Sequence, residues 1–270
     1  MERVDLTILG ATEGEIAPLA ALKTLDTVRF ADCAFSIRAY RDLRLLIGTT
    51  GIGKVNAAAI TAAALSNFTS GEVCNVGCAG AYSGSGLSIA DVLIADACLV
   101  ADEGILTKEG PAPLSEMGIP LVYKNGRAFC DCFPLADHIR RKDIRAILPE
   151  GVYGTGPSGA LLLGAHGFEL RYGPSLTVAM TSGDAQTASD RFHRFGALAE
   201  NMEGSAIAQT CLLFDVPFLE IRGISNMAGD REKARWDLPA ACDHCIAVVM
   251  RLLDNRTKQS FRLPRDGGKN

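Results

Sequence analysis

The sequence lacks several features that would place it in common classes of protein. No apolar stretch reaches the roughly 18 residues that a membrane-spanning helix needs. The net charge of −4 leaves no basic excess for binding a phosphate backbone, so we expect neither a nucleic-acid nor a membrane partner. Residues 1–5 carry acids and lead directly into an apolar strand, unlike a secretory signal peptide. These absences predict a soluble, cytoplasmic protein.

Two familiar catalytic patterns are incomplete. Residues 48–54 (GTTGIGK) match the phosphate-binding loop as far as its lysine, but Val55 follows where a nucleoside triphosphatase needs a hydroxyl for magnesium. These glycines favour a tight turn between a strand and a helix instead. The nucleophile pattern Gly-x-Ser-x-Gly does not occur, and the four histidines lie in polar or segment-end positions. Triphosphate hydrolysis and Ser/His or Cys/His catalysis therefore have little support.

The nine cysteines are scattered through apolar segments, which predicts buried, reduced thiols. Cys242 and Cys245 have a short, metal-type spacing, although both lie in a helical pattern one turn apart. The other close pair, Cys130 and Cys132, has a different spacing, whereas a zinc site normally needs two matching pairs. We therefore expect no metal and no cofactor.

Short apolar runs alternate with helical patterns along most of the chain. The predicted strands are residues 4–9, 43–47, 72–76, 91–100, 176–180 and 218–221, and the predicted helices are residues 13–25, 54–66, 206–213 and 238–254. Apolar strands between helices predict an α/β fold with a central, largely parallel sheet covered on both faces. We predict a single domain over residues 1–254, a long functional loop at 103–135 and a polar, disordered tail at 255–270.

Polar side chains follow several of the predicted strands. Glu15 follows the first strand, Glu203 precedes a stretch of small residues, and Asn226 follows the strand at 218–221. Ligands of such sheets gather at the carboxyl ends of the strands, which favours a shared site for these three side chains. The pattern alone names no reaction.

Five motifs in a fixed order carry a family resemblance. They are residues 10–16 (GATEGEI), 51–55 (GIGKV), 75–81 (NVGCAGA), 200–208 (ENMEGSAIA) and 220–226 (EIRGISN). Over residues 4–253 the chain resembles the nucleoside phosphorylase and nucleosidase superfamily. The resemblance implies a three-layer phosphorylase/hydrolase-like fold with a mixed sheet, and cleavage of the bond between a purine and its ribose.

Further stretches, at residues 216–226, 229–231 and 236–237, are similar to the futalosine hydrolases. That family releases hypoxanthine from futalosine, leaving dehypoxanthine futalosine, in the alternative menaquinone pathway. Three other activities remain open: a methylthioadenosine/S-adenosylhomocysteine nucleosidase, an aminodeoxyfutalosine nucleosidase and a purine nucleoside phosphorylase. The turns at 10–12 and 77–79 carry no arginine for phosphate, which favours water as the attacking group. A non-catalytic nucleoside sensor would be expected to have lost Glu15 or Glu203.

The resemblance also implies roles for individual residues. Glu15 aligns with the acid that deprotonates the attacking water. Glu203 aligns with the acid that binds the ribose hydroxyls and stabilises the positive sugar. Met202 aligns with an apolar contact to the sugar. The ribose and base pocket would be lined by the backbone of Cys78, Ala79 and Gly80.

Three departures from the methylthioadenosine nucleosidases bear on the base. Asn226 replaces an Asp, and an amide N–H suits the N7 and O6 acceptors of a 6-oxopurine. Cys78 stands where Ser is common. Residues 184–186 replace an aromatic stacking partner, and we predict that Gln186 contacts the substrate. Arg231, with Lys108 as an alternative, is the predicted partner of the substrate carboxylate, and a homodimer or larger homo-oligomer is expected.

Overall fold

The computed structural model describes residues 1–30, 33–108, 110–134, 141–155, 161–164 and 167–256. Apart from its first two residues, the predicted tail at 255–270 lies outside this part of the chain.

The described residues form eighteen strands, which vary from three to ten residues in length. They are β1 (Glu2–Val4), β2 (Leu6–Gly10), β3 (Lys23–Phe30), β4 (Cys33–Tyr40), β5 (Leu43–Thr49), β6 (Phe68–Ser70), β7 (Val73–Ala81), β8 (Val92–Val100), β9 (Gly104–Thr107), β10 (Gly110–Pro113), β11 (Val122–Lys124), β12 (Arg127–Phe129), β13 (Cys132–Pro134), β14 (Gly151–Thr155), β15 (Leu161–Leu163), β16 (Phe168–Thr177), β17 (Ala199–Asn201) and β18 (Phe218–Met227).

Seven α-helices and two short 3-10 turns complete the described secondary structure. The helices are α1 (Glu13–Ile16), α2 (Lys54–Asn67), α3 (Leu114–Met117), α4 (Arg141–Ile147), α5 (Ala185–Phe195), α6 (Gly204–Leu213) and α7 (Leu238–Asn255), and the 3-10 turns are Ala17–Ala21 and Lys233–Arg235.

Twelve strands form one mixed sheet, with the order β15-β14-β16-β8-β18-β7-β2-β5-β4-β3 and with β13 and β17 paired at its side. The strands β5, β2, β7 and β18 are parallel neighbours, whereas both ends of the sheet and the β18–β8 pair are antiparallel. The predicted mixed sheet is confirmed. Because four central strands run in one direction, their carboxyl ends lie at one edge of the sheet.

Helices cover both faces of this sheet. One apolar cluster joins the sheet to α7, through residues such as Ile221 and Val249. The other cluster joins the opposite face to α2 and α6, through residues such as Leu46, Ile60 and Cys211. The two clusters give the predicted three layers, with α7 on one side and α2 and α6 on the other.

Three predicted elements differ from the structure. The helix predicted at 13–25 ends at Ile16, and a 3-10 turn over Ala17–Ala21, with Pro18 in its first turn, leads into β3. Residues 103–135 are not one open loop: the described part forms two hairpins, α3 and β13, which pairs with β8. The strand predicted at 218–221 continues to Met227, so Asn226 lies within β18 rather than after it.

Candidate active site

A cavity of about 870 Å³ opens at the carboxyl ends of the parallel strands. Eight of the nine predicted site residues line it: Glu15, Cys78, Ala79, Gly80, Met202, Glu203, Asn226 and Arg231. The chain positions of these residues span more than 200 residues, and the parallel strands bring them together at one edge of the sheet.

Glu15 lies on α1 and is fixed by four hydrogen bonds. Its Oε2 accepts from the backbone N–H of Ala11 (2.8 Å) and Thr12 (2.9 Å) and from the Thr12 hydroxyl (3.2 Å). Its Oε1 accepts from the backbone N–H of Cys78, at 2.9 Å. A Cβ on Gly77 would lie 2.4 Å from this Oε1, so a glycine is needed for the close approach. The carboxylate is therefore held in one orientation at the cavity wall.

Glu203 precedes α6 and is buried beside the cavity. The backbone N–H of Gly53 donates to its Oε1 at 3.0 Å, and that of Met202 lies 3.3 Å from its Oε2. Burial raises the pKa of this carboxyl group, although the cation of Arg222 acts in the opposite direction. The site thus holds two carboxyl groups, each fixed by backbone donors.

The sequence interpretation gave Arg222 no role, although the structure places it next to both carboxyl groups. It is fully buried, and its Nη2 lies 3.3 Å from Asn201 Oδ1 and 3.5 Å from Glu220 Oε2. Its Nη1 lies 3.8 Å from Glu203 Oε2 and has no hydrogen-bond acceptor among the described residues. Burial alone would lower the pKa of the guanidinium, but the surrounding carboxylates raise it above its ordinary value. Arg222 therefore places a permanent positive charge beside the acids of the site.

Asn226 reaches the cavity through an irregularity in β18. The register between β18 and β7 shifts between Ile224 and Asn226, and this bulge turns the end of the strand towards the cavity. The Ser225 hydroxyl donates to Asn226 Oδ1 at 2.8 Å, and Asn226 Nδ2 donates to the Met227 carbonyl at 3.0 Å. An amide has two N–H donors, so one remains for a ligand.

Gln186 does not join the other predicted residues. It lies on α5, exposed, and its Nε2 donates to Asp190 Oδ1 at 2.8 Å. Asp184 caps the start of α5, and the helix then directs Gln186 along its outer face. Trp236 lines the cavity instead, next to Arg231, whose guanidinium lies 5.1 Å from the centre of the indole ring. The sequence interpretation counted Trp236 in a family stretch but gave it no place in the pocket.

The cysteines, the candidate metal ligands and the helices give three further findings. All nine cysteines are free and are buried or half-buried. Within the part of the chain that the structure describes, no group of three or more His, Cys, Asp or Glu side chains could hold a metal ion. No described helix is both long and apolar enough to span a membrane.

Comparisons with known proteins identify the family. The family model described as the phosphorylase superfamily matches residues 5–254. A futalosine hydrolase from Thermus thermophilus is 34% identical over 222 residues, covering 81% of this chain and 87% of that protein. A 5'-methylthioadenosine/S-adenosylhomocysteine nucleosidase from Lysinibacillus sphaericus is 28% identical, covering 93% of this chain and 99% of that protein.

Solved structures show the same fold. A methylthioadenosine/S-adenosylhomocysteine nucleosidase from Colwellia psychrerythraea, in complex with adenine, superimposes with a TM-score of 0.74 at 23% identity, covering 93% of this chain and 95% of that chain. A futalosine hydrolase from Helicobacter pylori has a TM-score of 0.72 at 20% identity, covering 94% and 98%. This chain belongs to the phosphorylase superfamily and, within it, to the nucleosidases, which hydrolyse an N-glycosidic bond.

Proposed function

We propose that this enzyme hydrolyses futalosine, releasing hypoxanthine and leaving dehypoxanthine futalosine, as an early step of the alternative menaquinone pathway. One observation carries the proposal: the cavity brings Glu15 and Glu203, two carboxyl groups held by backbone N–H donors, together with the carboxamide of Asn226. The resemblance to the adenine-cleaving nucleosidases implies an acid at the position of Asn226. The 34% identity to a futalosine hydrolase supports the same substrate.

Glu15 acts as the general base. As water attacks the anomeric carbon of the ribose, the carboxylate accepts the proton that the water loses, which contributes about 10²- to 10⁴-fold to the rate. Its four hydrogen bonds hold it in position for this transfer. Glu203 accepts hydrogen bonds from the ribose hydroxyls, and its negative charge stabilises the oxocarbenium-like sugar. Met202 and the strand backbone at Cys78 and Gly80 contact the ribose and base.

Asn226 reads the base. Because the Ser225 hydroxyl occupies Asn226 Oδ1, the amide presents Nδ2–H to the ligand. That donor suits the N7 and O6 acceptors of hypoxanthine, and it stabilises the leaving purine by hydrogen bonding rather than by proton donation. An ionised Asp at this position would repel O6.

Arg231 binds the carboxylate of the benzoate-bearing tail. Trp236 provides an apolar wall beside it, and Arg231 is the one cation among the described residues that line the cavity. Lys108 is exposed and does not line the cavity. Four carboxyl groups line the same space, from Glu15, Glu200, Glu203 and Asp243, which is unfavourable for inorganic phosphate and favours water as the attacking group.

Futalosine, aminodeoxyfutalosine, methylthioadenosine and inosine, each with and without phosphate, test the function. We expect futalosine to have the highest kcat/KM and hypoxanthine release to be independent of phosphate. Release that requires phosphate, or a preference for methylthioadenosine, would contradict the proposal.

The Asn226→Asp variant tests whether the side chain at this position selects the purine base. The acid should shift the preference from futalosine towards aminodeoxyfutalosine by about 1–3 kcal/mol, or roughly 10- to 200-fold in the ratio of their kcat/KM values. An unchanged ratio would show that the amide does not select the base.

Arg231→Ala tests the binding of the tail, with Arg235→Ala as the matched control. Arg235 pairs with Asp230 and Glu232 and does not line the cavity. Loss of Arg231 should raise KM for futalosine and leave KM for inosine, which has no carboxylate, nearly unchanged. Equal effects on both substrates would assign Arg231 to another role.

We also propose that the enzyme is a cytoplasmic homodimer or larger homo-oligomer. Ile52 (57% exposed), Val55 (83%) and Met180 (78%) are exposed apolar side chains, which we together call the rim surface. The chain at residues 52–55 is linked to the chain at Met180 through Asp102. Lys54 pairs with Asp102 at 2.6 Å, and Asp102 accepts a hydrogen bond from the backbone N–H of Ala179. Ile52 also lines the cavity, so a second copy seated here would cover the edge of the site.

A further inference from the structure

Two thiols meet at the cavity wall. Cys78 Sγ lies 3.4 Å from Cys242 Sγ, although the two residues are 164 positions apart, on β7 and α7. Both line the cavity, where Cys78 is half-buried and Cys242 is buried. The proposed hydrolysis does not use the thiol pair, since water is the attacking group and Glu15 and Glu203 supply the acids.

From this geometry we propose that Cys78 and Cys242 are a peroxide-sensitive modification site, which closes to a disulfide across the active-site cavity and stops hydrolysis. The sulfurs are already in contact, and closing the bond requires a movement of little more than 1 Å from their separation of 3.4 Å to the roughly 2.05 Å of a disulfide. The cavity, at about 870 Å³, admits a small hydroperoxide.

The two sulfurs act in turn in this reaction. Either thiol can donate the hydrogen bond that joins the pair, and that bond stabilises a thiolate on the other sulfur. The thiolate attacks the peroxide, breaking the O–O bond; one oxygen stays on sulfur as a sulfenic acid and the other leaves as water once protonated. The second sulfur then displaces the sulfenic oxygen, which leaves as a second water. In total, two thiols and one hydrogen peroxide give one disulfide and two waters.

Closure would reach the catalytic acid directly. The backbone N–H of Cys78 donates to Glu15 Oε1 at 2.9 Å, so drawing Cys78 towards α7 moves the donor that orients Glu15. A misplacement of about 1 Å at a catalytic group can cost roughly 100-fold in rate. The new bond would also lie across the wall of the substrate cavity. This loss of activity rests on the proposed function, whereas the disulfide itself does not.

The test treats the reduced protein with hydrogen peroxide and maps its cysteines by peptide mass spectrometry without reduction. We expect one linked peptide pair, containing Cys78 and Cys242, and hydrolysis slower by roughly 10- to 100-fold, restored by dithiothreitol. The rates are measured with whichever nucleoside the untreated enzyme hydrolyses. A failure of the futalosine proposal can therefore be distinguished from a failure of the disulfide proposal.

Three variants complete the experiment, each compared with its own untreated rate. Cys242→Ser and Cys242→Ala should be resistant to peroxide, whereas Cys130→Ser, which changes a half-buried thiol outside the cavity, should remain sensitive. Sulfinic acid on one of the two cysteines with the other still reduced, a disulfide that leaves the rate unchanged, or equal inactivation of the Cys242 variants would each overturn the proposal.

Discussion

The carboxylate of Glu15 accepts hydrogen bonds at both oxygens, and this arrangement makes a conservative substitution informative. Glu15→Gln keeps the size of the side chain but removes the base, so we expect kcat to fall by about 10²- to 10⁴-fold while the enzyme still binds hypoxanthine. Steady-state kinetics and a binding titration measure the two effects.

Glu13→Gln is the matched control for Glu15→Gln. Glu13 lies on the same short helix but is exposed to solvent, so its loss should leave kcat within about twofold, in line with the small effects of ordinary surface substitutions. A Glu15→Gln enzyme with nearly full activity would remove Glu15 from the chemistry.

The raised pKa of Glu203 predicts where activity is lost in acid. Binding the ribose hydroxyls and the positive sugar requires the ionised form, and burial raises the pKa above the ordinary value of 4.5. As the pH falls, the carboxylate is therefore protonated earlier than an exposed glutamate would be. The acid limb of the pH profile of kcat/KM should lie above pH 4.5.

Arg222→Gln separates the two influences on Glu203. Since the cation of Arg222 lowers the pKa of Glu203, its removal should move the acid limb to still higher pH. Removing one partner of a buried ion pair also costs about 3–5 kcal/mol of stability, so unfolding must be followed alongside. An acid limb that stays in place in a folded variant would assign the limb to another group.

At the level of single residues, the sequence predicted where the acids lie but not which residues surround them. A shared location for Glu15, Glu203 and Asn226 could be predicted because polar groups after apolar strands meet at one edge of a parallel sheet. Arg222 was visible as a charge in an apolar strand, but of its partners only Glu220 lies on that strand, and Asn201 and Glu203 lie elsewhere in the chain. Gln186 was misplaced because its direction depends on where α5 begins.

Among the elements, β7 passes close to Glu15 and Arg222 at Gly77. At Gly77 an added Cβ would lie 2.4 Å from Glu15 Oε1 and 2.6 Å from Arg222 Nη1. Gly77→Ala should therefore displace the Glu15 carboxylate and lower kcat by roughly 100-fold, as expected for a displaced catalytic group. Steady-state kinetics measure the fall in kcat, and the melting temperature is measured in parallel to follow the stability of the variant.

Gly183→Ala is the control for the change at β7. A Cβ on Gly183 would meet no atom within 4 Å, so that variant should keep its activity and its melting temperature. If Gly77→Ala proved as active as Gly183→Ala, the close packing of β7 on Glu15 would not matter for catalysis.

The elements themselves were predictable where apolar spacing is regular. The predicted helices at 54–66 and 238–254 each end one residue short of α2 and α7. The hairpin of β3 and β4 was missed, because β3 is largely exposed and mixes charged with apolar residues, so no apolar run marks it. Such an edge strand is fixed by pairing with its neighbour rather than by its own sequence.

For the whole molecule, the layers could be predicted but the order of the strands could not. Apolar strands between helices imply a covered sheet. The insertion of β18 between β7 and β8 joins segments more than 100 residues apart, and each of these strands is apolar enough to pair with several others. The site depends on this order, since the pairing of β18 with β7 brings Asn226 next to Gly80.

The rim surface predicts how assembly and activity are linked. Val55 is 83% exposed, so a charge there would be tolerated by a monomer but not within an apolar interface. Val55→Glu should shift the enzyme towards monomer in sedimentation equilibrium. Because Ile52 belongs to both the rim surface and the cavity lining, kcat/KM should fall as the monomer fraction rises and recover at high protein concentration.

The Leu163→Glu variant is the matched control for Val55→Glu. Leu163 is an exposed apolar residue on β15, at the end of the sheet order, and its substitution should leave both assembly and activity as they are. A Val55→Glu enzyme that remains oligomeric would place the interface on another face. A fully active monomer would show that each copy forms its site alone. Dissociation with concentration-dependent loss of activity requires that the second copy completes the cavity.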